Sequence, residues 1–274
     1  MKPQIIVASH RRSGTHLTMA ALTNNFPVLS ESIPNEEAFL EQLRGSSGKP
    51  RVPEIRRAVE AKSNVFFTHM HDLGLVGAYC ENDPEACELV EEIFANAKVV
   101  YVQRDGRDTL ASMYPWMQSQ GHGQATNATF AEFLRQDNDW DPGTYEGDYS
   151  RPAYWRFHIE NWGKWPEALS MRFEDFHADY QGCLKKLQRH TGLQLSARTT
   201  DVKRKPFLGF IPYGKWTRRI DKYVLNPLLK RKDQAHFFRK GTVGDYVNSF
   251  DSADLSYFDD QAGELMRSLG YATA

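Results

Sequence analysis

The feature that most constrains this chain lies at its start. Gln4–Ser9 (QIIVAS) is short, apolar and rich in β-branched residues, and Thr15–Asn25 carries apolar residues at helical spacing. HRRSG is all that separates them, so it must turn a buried strand into a helix. A helix beginning there offers unpaired backbone N–H groups and the positive end of its dipole, which together hold an oxyanion. Gly14 lets the backbone approach a ligand, Ser13 and Thr15 add hydroxyl donors, and Arg11 or Arg12 can neutralise charge. The same residues would also serve as an ordinary strand-to-helix turn with a Ser or Thr cap.

The pattern repeats downstream. Asn64–His69 (NVFFTH), Lys98–Gln103 (KVVYVQ) and Leu169–Phe173 (LSMRF) read as further buried strands, with helical stretches between them. Strands alternating with helices predict an α/β fold of three layers: a mostly parallel β-sheet flanked by helices, with ligand sites at the carboxyl ends of the strands. At 274 residues the chain is expected to form one domain over residues 1–274. Residues 120–127 and 137–151, rich in Gly, Asn, Asp and aromatic side chains, read as loops over one face.

Charge and cysteine content exclude several classes. A formal charge of -1 gives no global attraction to nucleic acid or acidic membranes, so anion recognition must come from locally placed cations. Three cysteines match neither a zinc site nor a disulfide framework, and no apolar run approaches a membrane span. The expected protein is soluble and cytoplasmic, binds no nucleic acid, membrane or metal, and leaves a homodimer open. One local asymmetry stands out: ten Lys or Arg against one acid, Asp221, between Lys203 and Lys232, interleaved with aromatic residues. A solvated surface and a lid over an anionic ligand, spanning about residues 200–236, both fit that segment.

Two more candidate anion sites follow. Arg104 directly follows the strand ending at Gln103, and Ser112 lies eight residues further on, about two helical turns along. They could clamp one anion, although a capping Asp105 and an Arg104–Asp108 pair on a wet surface would also explain the sequence. Near the C-terminus, Arg239 and Lys240 precede Gly241 and Gly244 in RKGTVGDYVNSF, a loop able to wrap a phosphate.

That last segment, R-K-G-x-x-G-D-[WY]-x-N-x-F, closely resembles the signature of sulfotransferases that use 3′-phosphoadenosine 5′-phosphosulfate (PAPS). S-H-R-R-S-G-T-H-L is similar to the family's 5′-phosphosulfate loop Y-P-K-S-G-T-T-W, with Arg12 in place of the lysine. Tyr101–Ser112 resembles its 3′-phosphate motif, and Met171–Phe176 its Y-E-D strand end, with Phe173 where a tyrosine lies near adenine. The resemblance implies a P-loop-like sulfotransferase fold and sulfuryl transfer from PAPS to a hydroxyl or amine of a small organic acceptor, releasing 3′,5′-adenosine diphosphate (PAP). It implies 5′-end contacts from Arg11, Arg12, Ser13, Gly14, Thr15 and His16. For the 3′-phosphate it implies Arg104, Ser112, Arg239, Lys240 and Gly241.

By position, Phe67-Thr68-His69 matches the family's K-T-H, which implies His69 as general base with Arg12 stabilising the leaving diphosphate. Phe67 stands where the family has lysine, and His71, Asp72 and His16 are rival bases nearby. Arginine holds its proton too tightly to serve as an acid, so Arg12 can act only as a charge and donor. Phe130, Phe133, Trp140, Tyr145, Tyr149, Tyr154 and Trp155 are candidates for an acceptor pocket or for core. A P-loop kinase-like ATP-dependent phosphotransferase and a non-catalytic nucleotide-binding module remain alternatives. Against the kinase, the loop lacks the Walker pattern G-x-x-x-x-G-K-[ST].

Overall fold

A computed structural model describes residues 1–29, 52–72, 83–121, 123–138, 149–201, 206–207, 211–212 and 241–272. Four strands form the main sheet: β1 (Gln4–Ala8), β2 (Val65–Thr68), β3 (Ala97–Gln103) and β4 (Leu169–Arg172). Their order is β2-β1-β3-β4 and every pairing is parallel, with Val7 opposite both Phe67 and Val100 and Gln103 opposite Arg172. All four expected strands are present. β1, β2 and β4 each stop one residue short of the expectation: Ser9 and His69 leave the sheet, and Phe173 opens a helix instead.

Parallel neighbours demand crossovers, and helices supply them on both faces. On one face, Ile5, Val7, Phe67, Val102 and Met171 meet α1 (Thr15–Asn25), α8 (Phe173–Ala178) and α9 (Tyr180–Thr191). On the other, Ile6, Ala8, Phe66 and Tyr101 meet five helices: α2 (Val52–Ala61), α3 (Pro84–Asn96), α4 (Gly106–Ser119), α7 (Arg151–Trp162) and α10 (Ser252–Ser268). Successive β1 residues therefore feed different cores, which is why the strand is buried along its whole length.

Gln4 and Asn64 tie the starts of β1 and β2 together. The Gln4 carboxamide oxygen accepts from the Asn64 backbone and side-chain N–H groups at 3.0 and 3.1 Å. This end of the sheet is stapled by fixed polar contacts, so the opposite, carboxyl end is where the chain is free to build a site.

Two short helices, α5 (Gly123–Thr126) and α6 (Phe130–Arg135), link α4 to α7. α5 falls where a loop was expected, a correction of one helical turn. Asp137 and Ser150 form an isolated antiparallel bridge that closes the expected loop at its base. Within the basic segment the described residues are β5 (Pro206–Phe207) and β6 (Ile211–Pro212), an antiparallel pair. A lid there therefore lies outside the described residues, as do Arg239, Lys240, Trp140 and Tyr145.

Candidate active site

The loop after β1 is wound tightly. The Ser13 N–H bonds back to the His10 carbonyl at 3.2 Å, and the Ser9 and Thr15 hydroxyls meet at 2.6 Å across the turn. Arg12 (φ 68°) and Gly14 (φ 110°) are both left-handed, and Arg12 is the one non-glycine residue with positive φ among those described. Left-handed residues in such a loop fold successive amides into an anion-binding concavity. Gly14 is also the N-cap of α1 and supplies no side-chain cap, so the first-turn amides are left for a ligand. A Cβ at Gly14 would stand 2.7 Å from the Phe173 ring, so the position requires glycine for space as well as for φ.

Arg104 joins the expected anion sites. Its Nη1 donates to the Arg12 carbonyl at 3.3 Å and its Nη2 to the Thr242 carbonyl at 2.9 Å, while the guanidinium lies 4.4 Å over the Phe173 ring. Burial lowers its pKa, opposed by Asp108, Glu174 and Asp105. Its Nε is buried and makes no hydrogen bond among the described residues. Ser112 sits at the other end of the clamp, 3.3 Å from Arg12 Nε, so the first loop and the start of α4 share one space.

The Arg104–Asp108 pair exists at 3.6 Å, but it is buried rather than wet. Asp108 receives the N–H groups of Gly244 and Tyr246 at 2.7 and 2.9 Å, which draws the turn beginning at Gly241 against Arg104. This role for Asp108 was not legible, since sequence shows an (i, i+4) partner but no distant amide. Asp105 caps α4 and holds Arg107 at 2.7 Å, as the capping alternative expected.

His69 lies just past β2, where its Nδ1 is 2.9 Å from the Ser9 carbonyl oxygen. A carbonyl only accepts, so Nδ1 carries the proton and Nε2 keeps a lone pair. Burial, then the Arg11 charge, hold the His69 pKa well below the ordinary imidazole value. Phe67 packs beside it, ring centroid 5.3 Å from His69 and 5.6 Å from His16. His16 is pushed down to about 4 by burial and by Arg12.

The rival His71 is buried against Phe157 and Tyr154, and Asp72 lies partly exposed beside it. Tyr149 stacks on Phe157 at 4.7 Å, so Tyr149 and Tyr154 belong to the ring cluster around His71. Phe130, Phe133 and Trp155 do not: they pack into the core with Phe250 and Phe258. Sequence reasoning missed His10 and His158, which are buried beside this cluster with rings 5.4 Å apart. A histidine leaving a strand end, as His10 does, was the available signal; His158 gave none.

The family model described as Sulfotransferase domain matches residues 2–270. The chain belongs to the sulfotransferase family. Mus musculus sulfotransferase 2A6 is 24% identical over 276 residues, covering 93% of this chain and 81% of that protein. Rattus norvegicus sulfotransferase 2A1 is 27% identical over 189 residues, 63% of this chain and 57% of that relative. Oryctolagus cuniculus amine sulfotransferase is 26% identical over 170 residues, 60% of this chain and 52% of the relative.

Among solved structures, mouse sulfotransferase SULT7A1 complexed with PAP matches with a TM-score of 0.55 at 19% identity, covering 97% of this chain and 85% of that one. Retinol dehydratase in complex with retinol and PAP also gives 0.55, at 17% identity, covering 99% of this chain and 83% of that one. These two likenesses establish the sulfotransferase fold. Membership sets aside the kinase-like and non-catalytic alternatives, and no helix among the described residues is long and apolar enough to cross a membrane.

Proposed function

We propose that this sulfotransferase moves a sulfuryl group from PAPS to a hydroxyl or amine of a small organic acceptor, with His69 as base. The observation that carries the reading is the convergence of Arg12, Arg104 and Ser112 with an uncapped α1 N-terminus. PAPS is anionic at both ends, and two linked anion sites fit it. The first is the loop Arg11–His16; the second is Arg104, Ser112 and the turn from Gly241, to which the family resemblance adds Arg239 and Lys240. The PAP in the two structural relatives agrees with that donor. Phe173, already in contact with Arg104, is assigned to the adenine side.

The reaction is an in-line displacement in which the acceptor oxygen bonds to sulfur as the bond from sulfur to the 5′-phosphate oxygen breaks. The acceptor proton passes to His69 Nε2, the nitrogen left unprotonated by the bond to Ser9. The leaving oxygen keeps the electron pair, and the guanidinium of Arg12 with the amides and hydroxyls of Ser13, Gly14 and Thr15 offset its charge. Phe67 supplies no cation beside His69; Arg11, whose charge acts on His69, takes that part. No step calls for a metal, and no cluster of metal-ligating side chains occurs among the described residues.

The reading extends to one domain over residues 1–274 and to the cytoplasm, the latter supported by three cysteines whose spacing matches no disulfide framework. Calorimetric titration tests the donor directly. PAP is expected to bind more tightly than ATP and a short oligonucleotide not to bind, because only PAP carries the 3′-phosphate that Arg104 and Ser112 would grip. ATP binding as tight as PAP would overturn the assignment.

A further inference from the structure

Helix α7 reaches the exit of β2 and holds the segment that carries His69. His158 Nε2 lies 3.1 Å from the His69 carbonyl oxygen, and one turn later the Trp162 indole N–H donates to the Met70 carbonyl at 2.9 Å. On its other side, His158 Nδ1 lies 3.0 Å from the Tyr101 hydroxyl of β3. Because a carbonyl only accepts, the His158 proton must sit on Nε2. Nδ1 then has only a lone pair, so Tyr101 donates to it. Both ring nitrogens are thereby satisfied in a single tautomer.

The three rings form one packed unit. Tyr101 stacks on Trp162 at 5.3 Å and 14°, and on His158 at 5.8 Å and 23°. His158 is 0% and Tyr101 3% exposed. An apolar side chain would fill this space without needing polar partners, so an imidazole and a phenol buried here call for a reason beyond packing. The reason lies in what His158 touches: the peptide of the residue assigned as base.

We propose that His158, locked by Tyr101 as the Nε2–H tautomer, is a positioning residue that fixes the His69 peptide and so the direction in which His69 Nε2 faces the acceptor. The inference rests on the reading of His69 as base. Two tethers define that ring: His158 on its carbonyl and Ser9 on its Nδ1. The groups facing His158 are His10 after β1, Tyr101 on β3, His69 and His71 after β2, and Tyr154 on α7, with no carboxylate among them. Burial first, then His10, keeps its pKa well below the ordinary imidazole value, so the neutral tautomer persists at physiological pH.

The test compares His158→Leu, His158→Gln, Tyr101→Phe and the Leu/Phe double variant, each checked for folding by thermal melting. Gln retains an N–H donor at roughly the reach of Nε2; Leu does not. With PAPS and 4-nitrophenol, His158→Leu is expected to lose about tenfold or more in kcat, with PAP affinity and acceptor KM within about twofold of wild type. His158→Gln should recover most of the loss, Tyr101→Phe should fall between, and the double variant should be no worse than His158→Leu.

Long-range 1H–15N NMR of the imidazoles adds a readout that needs no acceptor. His69 is expected to be the Nδ1–H tautomer in the wild type and a mixture in His158→Leu. Unchanged kcat in His158→Leu, an equal loss in His158→Gln, or a loss confined to PAP affinity would each overturn the positioning role. If His69→Ala keeps wild-type turnover, the base reading fails by itself. The tautomer measurement then still decides, and an unaltered His69 signal in His158→Leu refutes the proposal.

Discussion

At the scale of single residues, the chemistry turns on which nitrogen of His69 carries the proton. The Ser9 carbonyl settles it in favour of Nδ1, leaving Nε2 as the base. Burial and the Arg11 charge weaken that base but keep it unprotonated at neutral pH. His69→Ala is expected to lower kcat by about 10²- to 10⁴-fold, the usual worth of a positioned general base. PAP affinity should be unchanged, since the anion contacts lie on the first loop and on Arg104. Steady-state kinetics with parallel calorimetry checks both parts, and turnover close to wild type would pass the role to His71 or Asp72. The place of His69 was legible because a strand end and a family motif coincide there. Its tautomer was not, because a bond to the carbonyl of Ser9, distant in sequence, leaves no trace in either segment.

At the scale of elements, α4 does more than follow a strand. Its Asp108 carboxylate accepts two backbone N–H groups from the turn at Gly244–Tyr246, and the paired Arg104 grips the Thr242 carbonyl of the same turn. The helix start therefore holds the C-terminal anion loop in place. Asp108→Asn keeps the size but replaces one acceptor oxygen with a donor facing an N–H, leaving a buried amide without a partner. The expected cost is about 1–3 kcal/mol of stability, with weaker PAP binding as the loop loosens. Denaturant unfolding and calorimetry measure the two, and an unaltered PAP affinity would sink the link between Asp108 and the anion site. The strands and α1 were readable at this scale because buried runs and helical periodicity are local signals. The short helix at Gly123–Thr126 was hidden by the Gly and Asn around it, and the burial of the Arg104–Asp108 pair was hidden because its cover, the turn at Gly244, comes from far along the chain.

At the scale of the whole molecule, the carboxyl edge of the sheet is packed with neutral imidazoles. His10, His16, His69 and His158 all have lowered pKa values, each chiefly through burial, with His10 at about 4. For His10, His16 and His69, closeness to Arg11 or Arg12 adds to the cost of a further positive charge. Unfolding releases each ring to its ordinary value near 6.5, so below that pH the unfolded chain binds protons that the folded chain refuses. A depressed pKa gives stability that is complete above the unfolded value and is lost as pH falls towards the folded one. For His10, 4% exposed, the loss between about pH 6.5 and pH 5 is on the order of 2 kcal/mol. Glu174, whose pKa burial raises, works in the opposite sense, because its folded carboxyl takes up a proton above the ordinary carboxylate range. The melting temperature is therefore expected to drop by several degrees from pH 7.5 to pH 5.0, and His10→Gln should flatten that dependence by removing one titrating ring. Scanning calorimetry at the two pH values decides it, and equal midpoints would show that these rings take up protons in the fold as readily as in the open chain.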